Sequence, residues 1–170
     1  MRLKRDFYTR SALEVAPNLL GKILVRKFST KTIKYKITET EAYCGEEDLA
    51  CHASKGKTSR TKVMYKTGGV IYVYLVYGMH WMLNIVAANK DQPEAVLIRG
   101  LEKSDGPGKV GKELKIDKSF YGEDLTKSRR LWVEEPVVKE KFKIKKAKRI
   151  GVDYAGKWSN KPWRFILSKP

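Results

Sequence analysis

Apolar positions along this chain fall into short runs, most of them with the alternation of a half-buried strand, and only a few stretches carry helical spacing. Residues 11–21 read as a short helix, with Ser11 and Glu14 at capping-box spacing and Gly21 as its C-terminal stop; Pro17 either delays the start or kinks the helix. The run KILVRKF (22–28) reads as a first strand. Residues 32–43 alternate strictly, with Lys34, Lys36, Thr38 and Thr40 on one face and Tyr35, Ile37, Glu39, Glu41 and Tyr43 on the other. Both glutamates therefore fall in phase with the apolar side, where a carboxylate costs free energy unless it is solvated, paired or used.

Residues 45–62 begin with Glu46, Glu47 and Asp48 and continue with Lys55, Lys57, Arg60 and Lys62 among small residues, the composition of a functional loop or short helix. From Val70 the strand pattern returns, and Gly78-Met79-His80 is the strongest turn signal in the chain, with 81–87 as the return strand. A two-residue turn at Gly78-Met79 pairs Tyr74 with Leu83; a three-residue turn over Gly78 to His80 sets Asn84 across from Tyr74, and the latter is the expected register. Residues 93–101 form a short buried strand interrupted by Arg99, GPGKVGKELKI leads into a helix after its glycines, and 139–149 and KPWRFIL supply later strand character. With strands dominant, no repeat and no clear linker, the pattern predicts one α+β domain over 1–170: a curved, mainly antiparallel sheet with flanking helices and a protruding β-hairpin.

Charge changes the picture of what such a domain meets. Thirty-six Lys and Arg stand against nineteen Asp and Glu, a formal net charge of +17 in 170 residues. A surface of that sign attracts polyanions and speeds their capture at low salt, so nucleic acid is the leading partner. The basic start MRLKRDFYTR is followed by a stretch broken by Glu14, Pro17 and Lys22, with neither a signal-peptide core nor a membrane-spanning run. Two cysteines do not make a disulfide framework, and the expected setting is intracellular, with the thiols reduced, no membrane and a monomer. Cys44, Cys51, His52 and His80 are spaced unlike the usual zinc patterns, so no metal and no cofactor is expected.

The chemistry concentrates between Thr38 and Arg99, where carboxylates, flat rings and one amide share an apolar strand context. Tyr74 and Asn84 fall on one face of the hairpin, with Tyr77 at its tip. From the residues alone Tyr77 either packs on a neighbouring loop or serves as a wedge between stacked bases.

These segments resemble the alkyladenine (3-methyladenine) DNA glycosylases. The matching features are ETEAY with its nearby glycine, a histidine nine residues after that tyrosine, YVYxxYGMHxxxN, LIRGLE, GPGKV and the tail RIGVDYAGKWSNKPWRF, so the similarity covers nearly the whole chain. Thr61 stands where the family usually has Asn, and Cys44 and Thr67 also depart from its commoner choices. The resemblance implies a monofunctional enzyme that flips alkylated purines out of double-stranded DNA and begins base excision repair. Glu41 is then the general base that activates water, with Arg99 placing the water and the adjacent phosphate. Tyr43, His52 and Tyr74 wall the flipped base, Tyr77 fills the gap in the duplex, and Asn84 excludes the exocyclic amine of guanine.

The residues themselves ask for similar chemistry. Cleavage of an N-glycosidic bond passes through an oxocarbenium-like state, which a nearby carboxylate stabilises while deprotonating water. Electron-rich rings attract cationic alkylpurines by roughly 0.5–2 kcal/mol. Arg60, Lys109 and the 139–149 ribbon are group candidates for phosphate contacts. A non-catalytic nucleic-acid binder explains the charge and the aromatic residues but leaves Glu39 and Glu41 without a reason. A nucleosidase leaves the wedge and the charge without one.

Overall fold

The computed structural model describes residues 1–138 and 140–168. In chain order its helices are α1 (Arg5–Tyr8), α2 (Ala12–Leu19) and α3 (Pro107–Glu113). Its strands are β1 (Ile23–Lys27), β2 (Thr32–Cys44), β3 (Ile71–Val76), β4 (His80–Ala87), β5 (Glu94–Leu101), β6 (Ser104–Asp105), β7 (Leu131–Glu134), β8 (Lys143–Ala147) and β9 (Arg164–Ser168). Among the described residues every strand pairing is antiparallel, in the order β3-β4-β5-β2-β1-β7, with β6 on β5, β9 on β2 and β8 on β9. The predicted α+β class with a curved antiparallel sheet and flanking helices is what the chain adopts.

The sheet is built around β2, whose first half pairs with β1 and whose second half pairs with β9 along the same edge, while β5 runs along the other. Helix α2 lies on the core face. Its capping box forms as the Ser11–Glu14 spacing predicts, and the helix does not start late: it begins at Ala12 and carries Pro17 within it. Thr40 of β2 donates its hydroxyl to the Ala16 carbonyl at 2.8 Å, which ties helix to sheet. Helix α3 approaches β4 so closely that a Cβ on Gly111 would stand 2.0 Å from the Trp81 carbonyl oxygen, a contact only glycine permits. Val15, Ala16, Leu19, Val73, Leu83, Ile85, Val96 and Ile98 close the main core between these helices and the sheet.

Strict alternation along β2 does not hold. Ile37 faces the main core, yet so do Thr40 and Ala42, because the register with β5 steps between Ile37 and Glu39 and again between Glu39 and Thr40. The partner strand changes phase at the same place, where Ile98 and Leu101 both face the core. Gly100 permits the kink, since a Cβ there would lie 3.0 Å from both the Glu39 Cβ and the Thr38 hydroxyl. Glu39, Glu41 and Tyr43 thus leave the face of Ile37 and join the opposite face of the sheet, along with Tyr72 and Tyr74 of β3, Met82 and Asn84 of β4, and Ala95, Leu97 and Arg99 of β5. The glutamates are in phase with one another as predicted, but not with the core.

The hairpin register also differs from expectation. Its three-residue loop is Tyr77-Gly78-Met79, so Val76 pairs with His80, Tyr74 with Met82, and Asn84 with Tyr72 rather than Tyr74. Tyr77 adopts a left-handed backbone with φ 52°, a conformation that turn rules assign to glycine, and this moves the loop one residue earlier. The displacement leaves parity unchanged, so Tyr74 and Asn84 still share a face.

Candidate active site

The site face of the sheet, the loop after β2 and the segment after β8 enclose a cavity of about 260 Å³. Tyr43, His52, Tyr74, Tyr77, Asn84 and Arg99 all line it. Glu41 stands immediately behind the wall, its side chain 0% exposed.

Two hydrogen-bond donors and one cation converge on that carboxylate. The Tyr43 hydroxyl donates to Oε2 at 2.7 Å, the Ile150 backbone N–H donates to Oε1 at 2.9 Å, and Arg99 Nη1 stands 3.6 Å from Oε1. Burial raises the pKa of Glu41 above the ordinary carboxylate value, and these three partners pull the other way without cancelling it. A carboxyl group shifted in this direction takes up a proton more readily than a free one, which is the direction a general base needs. Glu39 has a different part: its Oε1 holds Arg99 Nε at 3.2 Å and Arg164 Nη1 at 2.8 Å. The first glutamate of the motif therefore anchors the arginine that faces the second.

The aromatic wall is uncharged. His52 opens a short 3-10 helix (His52–Lys55), its Nδ1 lies 2.8 Å from the Tyr72 hydroxyl, and its ring packs edge-on to Tyr74 with centroids 4.5 Å apart. Burial, helped by Arg60, lowers its pKa to about 4, so the ring is neutral at physiological pH. Burial likewise raises the Tyr43 and Tyr74 phenols. The Asn84 amide is oriented by its own donors, which reach the carbonyls of Tyr72 at 3.2 Å and Met82 at 3.4 Å. Tyr77 projects from the hairpin tip with 90% of its surface exposed, so packing on a neighbouring loop is not its role here.

Tyr72 is a wall residue not among those expected from the sequence, although its period-two relation to Tyr74 puts it on the same face. The Ile150 amide is a backbone group and left no trace in the sequence. Among the candidate phosphate contacts, Arg60 is exposed beside the wall, 5.1 Å from the Tyr74 ring centre. Lys109 is exposed and paired with Asp105 at 2.6 Å, and Lys143, Lys145 and Lys146 are exposed on β8. Arg149 is not available to phosphate, because its side chain is fully buried in an ion pair with Asp48; Lys139 lies outside the described residues. The departure at Thr61 serves the loop, since its hydroxyl accepts from the Thr58 N–H and donates to the Gly56 carbonyl, each at 2.8 Å.

A cavity walled by neutral rings, with a carboxylate and an arginine at its side and an aromatic spike at its rim, suits an enzyme acting on a base in a polymer. The family model for methylpurine-DNA glycosylase (MPG) matches residues 6–170. The chain belongs to that family. Members of the family are DNA glycosylases, so the substrate is DNA and the reaction is removal of a base. The relatives agree: a protein of Natranaerobius thermophilus is 41% identical over 98% of this chain and 96% of its own length. One of Methanocella arvoryzae is 45% identical over 96% and 90%, and one of Borrelia garinii subsp. bavariensis is 43% identical over 97% and 95%. All three are named as candidate 3-methyladenine DNA glycosylases. Among the described residues no helix is long and apolar enough to cross a membrane.

Proposed function

We propose that this glycosylase flips alkylated purines such as 3-methyladenine out of double-stranded DNA and hydrolyses the N-glycosidic bond with a water activated by Glu41. The observation that carries the reading is the buried carboxylate tied to Tyr43, Ile150 and Arg99 beside an aromatic-walled cavity of about 260 Å³. As the base departs, positive charge develops on the sugar; an ionised Glu41 stabilises it and takes the proton of the water that attacks C1′. Arg99, held by Glu39, orients that water and the neighbouring phosphate. In the free protein the carboxylate is closed off, so bound DNA must admit the water, in keeping with catalytic contacts that tighten only in the complex.

Tyr43, His52 and Tyr74 stack on and around the flipped base, and Tyr77 occupies the gap it leaves. A damaged base is weakly stacked and costs less to extrude, which adds selectivity. The fixed amide of Asn84 opposes the exocyclic amine of guanine. Among the described residues no lysine lines the cavity, which favours direct hydrolysis over a Schiff-base intermediate and strand cleavage.

The test is incubation with methylated duplex DNA, followed by separate measurement of free base and of strand breaks. The expected products are free 3-methyladenine and an intact backbone that breaks only on alkaline treatment. Salt-sensitive binding with no release of base would mark a non-catalytic binder instead.

A further inference from the structure

We propose that Arg149 and Asp48 are a positioning pair for the reaction: their buried ion pair aims the Ile150 amide at Glu41. This rests on Glu41 being the base. Both side chains are 0% exposed and joined twice, Nη1 to Oδ2 at 2.5 Å and Nη2 to Oδ1 at 2.8 Å. Each partner is also fastened to backbone. Arg149 donates to the carbonyl of Ala42, the residue between Glu41 and Tyr43, at 2.9 Å and to that of Trp158 at 3.2 Å. Asp48 accepts from the N–H groups of Cys44 at 3.0 Å and Ala50 at 3.1 Å. The guanidinium also lies 4.8 Å from the Tyr43 ring centre.

The consequence falls on the next residue. Ile150 N–H belongs to the peptide plane that begins at Arg149, so fixing Arg149 fixes the direction of that bond. It points to Glu41 Oε1 at 2.9 Å, and Gly151, with φ 74°, turns the chain away along the cavity wall. A buried ion pair is a poor source of stability, because desolvation offsets the attraction and an apolar replacement often does as well. What it supplies here is direction.

Besides this amide, Glu41 is faced by Arg99 from β5, by Tyr43 and Glu39 from β2, by Tyr74 from β3, and by Arg164 opposite it on β9, itself held by Glu39. None of these is supported by the Arg149–Asp48 pair except Tyr43. Loss of the amide removes a donor that favours ionised Glu41, so the acidic limb of the rate profile moves to higher pH.

Single-turnover release of 3-methyladenine from methylated duplex DNA, measured from pH 5 to 9, tests this. Arg149→Lys keeps the charge but loses the double attachment; Ile150→Pro removes the donated hydrogen and leaves the ion pair intact. Both should move the acidic limb up by about one pH unit, slow release about tenfold on that limb, and recover toward the wild-type rate at high pH. A merely structural lesion lowers the rate at every pH. Thr30→Ala, exposed in the turn between β1 and β2, should leave the profile in place. If Arg149→Lys does not fold, Ile150→Pro decides alone, and a folded Ile150→Pro with an unmoved limb overturns the inference. Glu41→Gln, run alongside, separates the two claims: wild-type release by that variant means that Glu41 is not the base. A dead Glu41→Gln with unmoved limbs elsewhere means that only the positioning role fails.

Discussion

Replacing Tyr77 by glycine should separate catalysis from stability. The side chain is 90% exposed, so its removal forfeits almost no buried area. Its backbone sits at φ 52°, which costs a non-glycine residue about 1–2 kcal/mol. Glycine relieves that cost but adds about 0.4–1 kcal/mol of unfolded-state entropy, so the net change is a stabilisation of at most about 1.6 kcal/mol. For a chain of this length that is a rise in Tm of no more than about 6 °C. Against this, filling the gap in the duplex offsets an unstacking cost of a few kcal/mol. Losing about 2 kcal/mol of it slows base release roughly 30-fold. The assay is single-turnover release from a duplex with one alkylated purine, paired with thermal melting of the free protein. Wild-type release would remove the wedge; a fall in Tm of ten degrees would show that Tyr77 holds the hairpin together instead.

Asn84→Ala should begin to release unmodified guanine, detectable by chromatography of the bases freed from undamaged duplex DNA. Because the Tyr72 and Met82 carbonyls each lose a donor, the same variant should melt lower by about 1 kcal/mol, or 2–4 °C. His52 predicts a pH effect on stability. Its folded pKa, about 4, lies below the unfolded value near 6.5, so the unfolded chain binds more protons between the two. Stability from this group is full above about pH 6.5 and is lost as pH falls through the folded pKa, by about 3 kcal/mol in all. Urea unfolding of His52→Gln should be flatter than wild type across that window, and an equal slope in both proteins would refute the assignment.

What could be read from the sequence was what local chemistry fixes. The α2 cap and the β3–β4 hairpin each depend on neighbours in the chain, and each formed close to where its signal stands, whereas α3 spans Pro107–Glu113 and runs through Gly108 and Gly111 instead of following the glycines. The errors came from backbone irregularities that carry no strong compositional mark. Gly100 admits the kink that turns Glu41 off the core face, and a tyrosine rather than a glycine opens the hairpin loop. Placing Tyr74 and Asn84 together survived because a register error of two residues preserves the face. The Asp48–Arg149 pair joins residues 101 positions apart, and the group it aims is a peptide N–H, so neither left a periodic or compositional trace. In the sequence, Arg149 looked like one more surface cation in a basic ribbon.

The most direct measurement is single-turnover release of 3-methyladenine by Glu41→Gln beside wild type, with binding of the same methylated duplex followed by anisotropy. Glutamine keeps the shape and can still accept from Ile150, and it spares the fold the burial of a charge, so the variant should melt no lower than wild type at neutral pH. Binding should stay within about threefold of wild type while release falls by about 10²–10⁴, the contribution of a positioned general base. Release at close to the wild-type rate by a folded, DNA-bound Glu41→Gln would contradict the mechanism.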